Sequence, residues 1–314
     1  MQTTITLTLP ADFRRTDFID FHQRDNQMLA ERWDESHVYK GIIWNNLPAC
    51  LQFSFTSKQQ VQINLDIDAG RKKIDTAQTQ QQLHKLANHM LGLNQPTKKF
   101  ETFAQQHADV CNLVNQQSGL RVPQAASPFE ALSWAITGQQ ISLGAAISLR
   151  RKLIQRAGIA HSSGIFCYPQ AKQLLELTED DLRACSFSTT KATTLLTLAQ
   201  AIHSGILPLQ QWLDDYWNGN PLAAEDIYAQ LIGMRGIGPW TIHYALLRGF
   251  GWLDGSLHGD AAVRRNLQRL LTAQQKYRST EKISPRETEA WLANFSPWRA
   301  LVAAHLWAMQ EKPD

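Results

Sequence analysis

The hydrophobic periodicity of this 314-residue chain changes near residue 97. Before that point apolar and polar residues alternate in short runs, for example from Val61 to Ile67, as in strands with one buried face. Beyond it, apolar residues recur at helical spacing and strand patterns almost vanish. The sequence therefore predicts an α+β fold that is mostly α: a small antiparallel-sheet domain followed by an all-α region in two helical lobes.

The first region is predicted as an N-terminal α+β domain over residues 1–97. Its boundary falls at Asn94-Gln95-Pro96, because proline disfavours a helix before it. Further strands are predicted at 4–9, 38–44 and 51–55, helices at 16–31 and 79–91, and turn residues at Asn45, Asn46 and Pro48.

The second region, residues 98–314, carries repeated helix signals. Ser127-Pro128-Phe129-Glu130 is a capping-box pattern, in which the serine accepts from the backbone at Glu130 and the glutamate reaches back. Short connections between many helices indicate a compact helical unit. We divide it into one lobe over about 113–222 and a second lobe formed by about 98–112 plus 223–314.

Composition excludes several classes of protein. No apolar run reaches the roughly 18 residues that span a bilayer, and Met1 to Pro10 lacks the basic start of a signal peptide. We therefore expect a soluble protein of the cytoplasm with no membrane partner. The isolated Cys50, Cys111, Cys167 and Cys185 contain no C-x-x-C pair, so we expect buried thiols and neither a metal site nor another cofactor.

Positive charge is concentrated near the C-terminal third of the chain. The net charge is only +3, a weak indication of an anionic partner. Between Ala261 and Thr280, however, there are five basic residues and no acidic one: Arg264, Arg265, Arg269, Lys276 and Arg278. This stretch is either a solvated helix face or part of a surface for a polyanion.

A glycine-spaced hairpin lies between two predicted helices, from Leu231 to Thr241. Gly236 and Gly238 flank Ile237, which can fill the gap between the helices, and Pro239 opens the second helix. Unpaired backbone N–H groups at such a turn suit a phosphate and are indifferent to base sequence. A purely structural turn is the alternative.

Asp260 follows the loop Gly255 to Gly259 and precedes a clear helix start. An aspartate in this position is usually an N-cap. It can have a second role, because a fixed carboxylate stabilises the oxocarbenium-like transition state of glycosidic bond cleavage and can orient the attacking water.

Together, these segments resemble the signature of the helix-hairpin-helix DNA glycosylase superfamily, and within it the DNA-3-methyladenine glycosylase II (AlkA-type) group. The hairpin with Gly259-Asp260 about twenty residues later carries the resemblance. It is extended by Phe129 to Ser142, similar to the family's first catalytic-domain helix and minor-groove loop, and by Pro297-Trp298-Arg299 at the last helix. The N-terminal α+β region resembles the extra domain of the AlkA type.

The resemblance implies roles for single residues. Asp260 matches the catalytic aspartate, and Trp240, Tyr244 and Trp298 match aromatic positions of a pocket for the flipped base, although a core role for these rings is the alternative. DNA contacts are implied for Gly236, Gly238 and Thr241, and for Gln140 as the polar residue that wedges into the duplex. Phe18 or Phe21 is the candidate aromatic from the N-terminal domain.

The implied activity is simple hydrolysis. Where bifunctional relatives carry a nucleophilic lysine, this chain has Trp240, and no lysine lies between Gly236 and Asp260. We expect a monomer that acts on double-stranded DNA with a damaged base in a bacterial cytoplasm. It would release 3-methyladenine and 7-methylguanine and leave an abasic site. The alternatives are a glycosylase for another lesion, with lyase activity, and a non-catalytic DNA-binding module.

Overall fold

The computed structural model describes residues 1–277 and 282–309. An antiparallel sheet with two helices comes first, and the rest of the described chain is helical. The predicted fold class is thus confirmed. Among the described residues, no helix has the length and apolar character needed to cross a membrane.

The sheet has five antiparallel strands in the order β1-β5-β4-β3-β2. Asn45 and Asn46, with φ of 48° and 62°, form the tight turn between β3 and β4. Pro48 is not part of this turn, because it pairs with Ile43 inside β4. The strands are β1 (Gln2–Thr8), β2 (Glu31–Trp33), β3 (His37–Trp44), β4 (Leu47–Ser57) and β5 (Gln60–Ile67).

Helices α1 (Arg15–His22) and α2 (Thr76–Met90) contribute to the apolar core of this sheet. The prediction of a helix over 16–31 was too long. Glu31 instead begins β2 and pairs with Lys40 of β3, so tertiary strand pairing overrides the local helical pattern.

The helical region is held by two large apolar cores. One includes Phe100, Val114 and Leu301, and the other includes Leu195 and Leu231. The helices are α3 (Thr97–Ala104), α4 (Cys111–Gln116), α5 (Pro128–Gly138), α6 (Leu143–Ala157), α7 (Ala171–Leu174), α8 (Glu179–Ala184), α9 (Thr189–His203), α10 (Leu209–Trp217), α11 (Ala224–Ile232), α12 (Pro239–Ala245), α13 (Ala261–Ala273), α14 (Pro285–Ala293) and α15 (Arg299–Trp307), with a π-helical turn, Leu246–Phe250, directly after α12.

Each of these cores contains residues from both predicted lobes. Val114 of α4 packs in the core of α3 and α15, and Leu231 of α11 packs in the core of α5 and α9. The division of the chain at 97/98 stays a prediction, as do the lobe limits.

A buried ionic cluster joins the sheet to the helical region. Lys40 Nζ lies 2.6 Å from carboxylate oxygens of both Glu31 and Glu130, and Arg150 Nη2 lies 2.6 Å from Glu31. Ser127 caps α5 as predicted, accepting from Glu130 N at 3.1 Å. The glutamate does not complete the capping box: its carboxylate accepts from Lys40 and from Ala126 N, because a buried ammonium requires paired anions.

The cysteines are free. Cys50, Cys167 and Cys185 are buried as expected, whereas Cys111 is half-buried. No group of three or more potential metal ligands occurs in the described ranges.

Candidate active site

The hairpin has the predicted form. Helix α11 ends at Ile232, Pro239 opens α12, and Ile237 is buried between them. Gly236 has φ of +88°, and a Cβ there would lie 2.1 Å from Thr194 Oγ1 of α9. Gly238 has open space around it and φ of −112°. Gly236 is therefore required by the close approach of α9, while Gly238 keeps the turn open towards solvent.

Gln139 ties this hairpin to the end of α5. Its Nε2 donates to Gly236 O at 2.9 Å and to Thr241 Oγ1 at 2.8 Å. Thr241 is only 2% exposed, so the structure gives its side chain this internal role in place of the predicted DNA contact. Sequence reasoning missed Gln139, because both of its partners are about a hundred residues away.

The loop after α5 presents the predicted wedge residue. Gln140 is exposed and has φ of 56°, a left-handed conformation that is uncommon outside glycine. Two large apolar side chains are exposed beside it, Ile141 at 38% and Leu143 at 59%. An exposed apolar patch of this kind often marks an interaction surface.

Asp260 is the N-cap of α13, as the sequence predicts, and four N–H groups surround its carboxylate. Oδ1 accepts from Ala262 N at 2.9 Å and Val263 N at 3.0 Å. It also accepts from Trp307 Nε1 at 3.1 Å, while Oδ2 accepts from Trp240 Nε1 at 3.0 Å. The donors fix the orientation of the carboxylate and stabilise a negative charge on it. It is half-buried at the edge of the helical core.

Aromatic rings continue from the carboxylate along α12 and α15. The rings of Trp240 and Tyr244 lie 5.5 Å apart, as expected for positions four apart on a helix. Tyr244 in turn lies 6.2 Å from Trp307. The structure therefore brings the predicted pair Trp240 and Tyr244 together with Asp260 around one site.

Trp298 is placed elsewhere. It precedes α15, whereas Trp307 ends it, and nine residues of helix correspond to about 13 Å along the axis. The Trp298 ring contacts Phe100, with centroids 5.9 Å apart, in the core of the lobe. The structure thus favours Trp307 over Trp298 as the pocket tryptophan of α15. The sequence did contain a signal for Trp307, since it is a second tryptophan at the end of the apolar stripe that begins at Trp298.

The N-terminal domain contributes Phe21. Arg248, in the π-helical turn, places its guanidinium carbon 4.6 Å from the Phe21 ring centroid and 5.5 Å from that of Trp307. Phe18 is buried in the sheet core against Phe53. The structure therefore favours Phe21 among the two candidates. Arg248 was not predicted.

The basic stretch is only partly available as a surface. Lys276 forms an ion pair with Asp109, and Arg265 and Arg269 also have interaction partners. Arg278 lies outside the described residues. Such local pairing is typical of a solvated helix face, and the alternative of a surface for a polyanion stays a prediction.

A hairpin of two helices, a glycine-rich loop and an aspartate at the next helix start define a class of DNA repair protein. A family model for the HhH-GPD superfamily of base excision DNA repair proteins matches residues 133–293. The match covers more than half of the chain, and the chain belongs to this superfamily.

Individual relatives agree with this membership. A DNA-3-methyladenine glycosylase of Bacillus subtilis is 24% identical over 306 residues, 95% of this chain and 97% of the relative. A solved 3-methyladenine DNA-glycosylase from Archaeoglobus fulgidus superposes with a TM-score of 0.75 at 20% identity over 97% of both chains. A Clostridium acetobutylicum 8-oxoguanine glycosylase/lyase bound to double-stranded DNA gives 0.68 at 15% identity, over 94% of this chain and 91% of that one. These structural likenesses show the fold, and the resemblance stated from the motifs is confirmed.

Proposed function

We propose that this protein is a monofunctional DNA glycosylase that releases alkylated purines from double-stranded DNA by hydrolysis. The observation that carries the proposal is the Asp260 carboxylate, held by two indole N–H groups beside the neighbouring rings of Trp240 and Tyr244. The full-length relative named DNA-3-methyladenine glycosylase supports the substrate class. Action as a monomer in a bacterial cytoplasm belongs to the same proposal.

The aromatic rings supply the binding part of the site. A purine such as 3-methyladenine carries a positive charge while it is attached to the sugar, and the faces of indole and phenol rings attract cations. Stacking on Tyr244 and Trp307 would hold the base once it has left the duplex. Both rings are anchored, since Tyr244 is 8% exposed and Trp307 is hydrogen-bonded to Asp260.

The carboxylate supplies the chemical part. As the glycosidic bond breaks, the electron pair leaves with the purine, which departs as a neutral base, and positive charge develops on the sugar. A carboxylate fixed in advance stabilises that charge without reorganising. Water then adds to C1′ and loses a proton, for which Asp260 is the acceptor at hand. The products are a free base and an abasic site.

A lyase step has no support at the corresponding position. The first turn of α12 carries Trp240, and its indole nitrogen donates to Asp260 and is not a nucleophile. We therefore propose hydrolysis and not the Schiff-base chemistry of a glycosylase/lyase.

DNA contact is proposed for the hairpin and the loop after α5. Exposed backbone near Gly236 and Gly238 suits a phosphate, and Gln140 with Ile141 would enter the space left by the flipped nucleotide. Gln139 links the two elements, so the phosphate contact and the wedge keep a fixed separation.

The test is base release from methylated duplex DNA. Wild-type protein is expected to release 3-methyladenine and 7-methylguanine without strand cleavage at neutral pH. Asp260→Asn is expected to lower the release rate about a thousandfold, because the amide keeps the size of the side chain but not its charge. Retained DNA binding by the variant, measured by gel shift, would separate catalysis from recognition.

Asp109→Asn is the matched control. Asp109 also accepts from an indole, Trp291 Nε1 at 3.3 Å, and pairs with Lys276, but it lies away from the proposed pocket. Its substitution is expected to leave base release nearly unchanged. Equal release by wild type and Asp260→Asn would contradict the mechanism, and a borohydride-trapped adduct would show a lyase instead.

A further inference from the structure

Arg248 brings a fixed positive charge to the side of the pocket formed by Phe21. It lies in the π-helical turn Leu246–Phe250 that extends α12. Single π-helical turns are rare and are found frequently at functional sites. The turn sets the direction of this side chain relative to Tyr244, one helical turn earlier.

The segment 123–125 holds Arg248 at both ends. Nη1 of the guanidinium donates to Pro123 O at 2.7 Å. The backbone carbonyl of Arg248 accepts from Ala125 N at 2.8 Å, so the irregular turn leaves this carbonyl satisfied. These contacts make the guanidinium a fixed feature of the pocket and not a swinging side chain.

The guanidinium lies one ring away from the catalytic carboxylate. Phe21 and Trp307 both contact it, and Trp307 is the residue whose indole N–H binds Asp260. The nearby Tyr244 side chain acts against burial and raises the pKa of this guanidinium. A base stacked among these rings would therefore have Arg248 at one of its edges.

One donor of this guanidinium is unsatisfied. Nε of Arg248 is buried and has no hydrogen-bond partner among the described residues. Burial lowers the pKa of Arg248 to about 10, which leaves the group protonated at neutral pH. A buried charged donor without an acceptor is unfavourable, so a ligand that brings an acceptor gains binding energy there.

Methylated guanine and methylated adenine differ in the hydrogen-bonding group at position 6 of the purine, with which such a donor can interact. A methylated guanine presents the carbonyl oxygen O6, an acceptor, whereas a methylated adenine presents an amino group, a donor, at the same position. We propose that Arg248 is a specificity-determining residue that donates to this oxygen and favours methylated guanines over methylated adenines. This inference rests on the proposed glycosylase function.

The experiment measures both bases in one reaction. Methylated duplex DNA contains 7-methylguanine and 3-methyladenine, and the single-turnover release rate of each is followed by chromatography of the free bases. Arg248→Met keeps the length of the side chain without charge or donors. It is expected to lower the ratio of the 7-methylguanine rate to the 3-methyladenine rate about tenfold relative to wild type.

Arg24→Met is the matched control. The Arg24 guanidinium lies 4.1 Å from the same Phe21 ring and 4.9 Å from Trp134, and its Nε donates to Phe21 O. Removing it deletes a cation from the same ring without touching the π-helical turn. The ratio of the two release rates is expected to stay within about twofold of wild type.

The ratio separates a specificity role from a structural one. Equal loss of both rates in Arg248→Met, with the ratio unchanged, would overturn the inference. If that variant does not fold, Arg248→Lys takes its place, because it keeps the charge but loses the planar donor fork. The ratio of the two release rates should also fall in this variant, and an unchanged ratio would likewise overturn the inference. Release of neither base by wild type would reject the proposed function instead.

Discussion

The two sides of the candidate pocket are built by different kinds of contact. On the catalytic side, consisting of Asp260, Trp240 and Trp307, directional hydrogen bonds of 2.9 to 3.1 Å converge on one carboxylate. On the recognition side, consisting of Phe21 and Arg248, a ring and a guanidinium are in contact at 4.6 Å. The carboxylate caps the helix that follows it, whereas the recognition side exists only where two distant parts of the chain meet. Chemistry should therefore depend on hydrogen-bond geometry, and recognition on how the N-terminal domain docks.

Among variants that keep the Asp260 carboxylate, the largest effect is expected from removing both of its indole donors. Each of Trp240→Phe and Trp307→Phe should lower the base-release rate about tenfold, and the double variant about a hundredfold, since each removes one charge-assisted hydrogen bond. Single-turnover kinetics at saturating protein measure this. Trp298→Phe is the control and should change the rate less than about twofold. A larger loss from Trp298→Phe than from Trp307→Phe would reverse the assignment of the pocket tryptophan.

Gly236→Ala tests whether the hairpin is fixed by packing. The new methyl group meets Thr194 Oγ1 in a left-handed backbone conformation, and the free energy of unfolding should fall by about 2 kcal/mol. Gly238→Ala has open space and should leave it nearly unchanged. Urea unfolding of both variants gives the comparison. Equal destabilisation by Gly236→Ala and Gly238→Ala would mean that contact with α9 does not fix the hairpin. The catalytic side depends on this hairpin, because Trp240 follows it.

Phe21→Leu tests the recognition side by itself. Loss of the ring should weaken binding of the flipped base about fivefold, by removing about 1 kcal/mol of stacking and cation–π contact. The rate at saturating protein should stay close to that of wild type, because Asp260 keeps its donors. Phe18→Leu, in the sheet core, should lower stability without this selective effect. A drop in the saturated rate for Phe21→Leu would show that the two sides are not separable.

A further comparison concerns pH, because each side of the pocket has a buried histidine close to it in sequence. His22, beside Phe21, and His305, two residues before Trp307, are buried. Burial lowers the pKa of His22 well below its usual value, with Lys40 adding to it, and lowers that of His305 to about 3. Their contribution to stability is therefore complete above about pH 6.5, the unfolded value, and is lost as the pH falls below it.

Urea unfolding at pH 7 and pH 5.5 checks this expectation. Each buried histidine should lower the free energy of unfolding by about 1 kcal/mol over that interval. His305→Gln should reduce the pH dependence, whereas substitution of the exposed His203 by Gln should not. Stability that is flat between these two pH values would contradict the buried neutral state of these rings.

The sequence by itself determined the features whose causes are local. The change of periodicity near residue 97 separates sheet from helices, the glycine and proline spacing specifies the hairpin, and the helix start identifies Asp260 as an N-cap. The pair Trp240 and Tyr244 follows from a helical spacing of four. Such features depend on residues within one or two turns of each other, so pattern and propensity are sufficient to read them.

Tertiary structure alone decided the rest. Trp307, and not Trp298, donates a hydrogen bond to Asp260. The Glu130 carboxylate accepts from Lys40 and does not complete a capping box, and the Thr241 hydroxyl accepts from Gln139. Each outcome depends on partners that are tens of residues or more away along the chain, chosen because buried polar groups must find hydrogen bonds wherever the fold supplies them. The pocket therefore has a carboxylate that the sequence identifies and surroundings that only the packed chain defines.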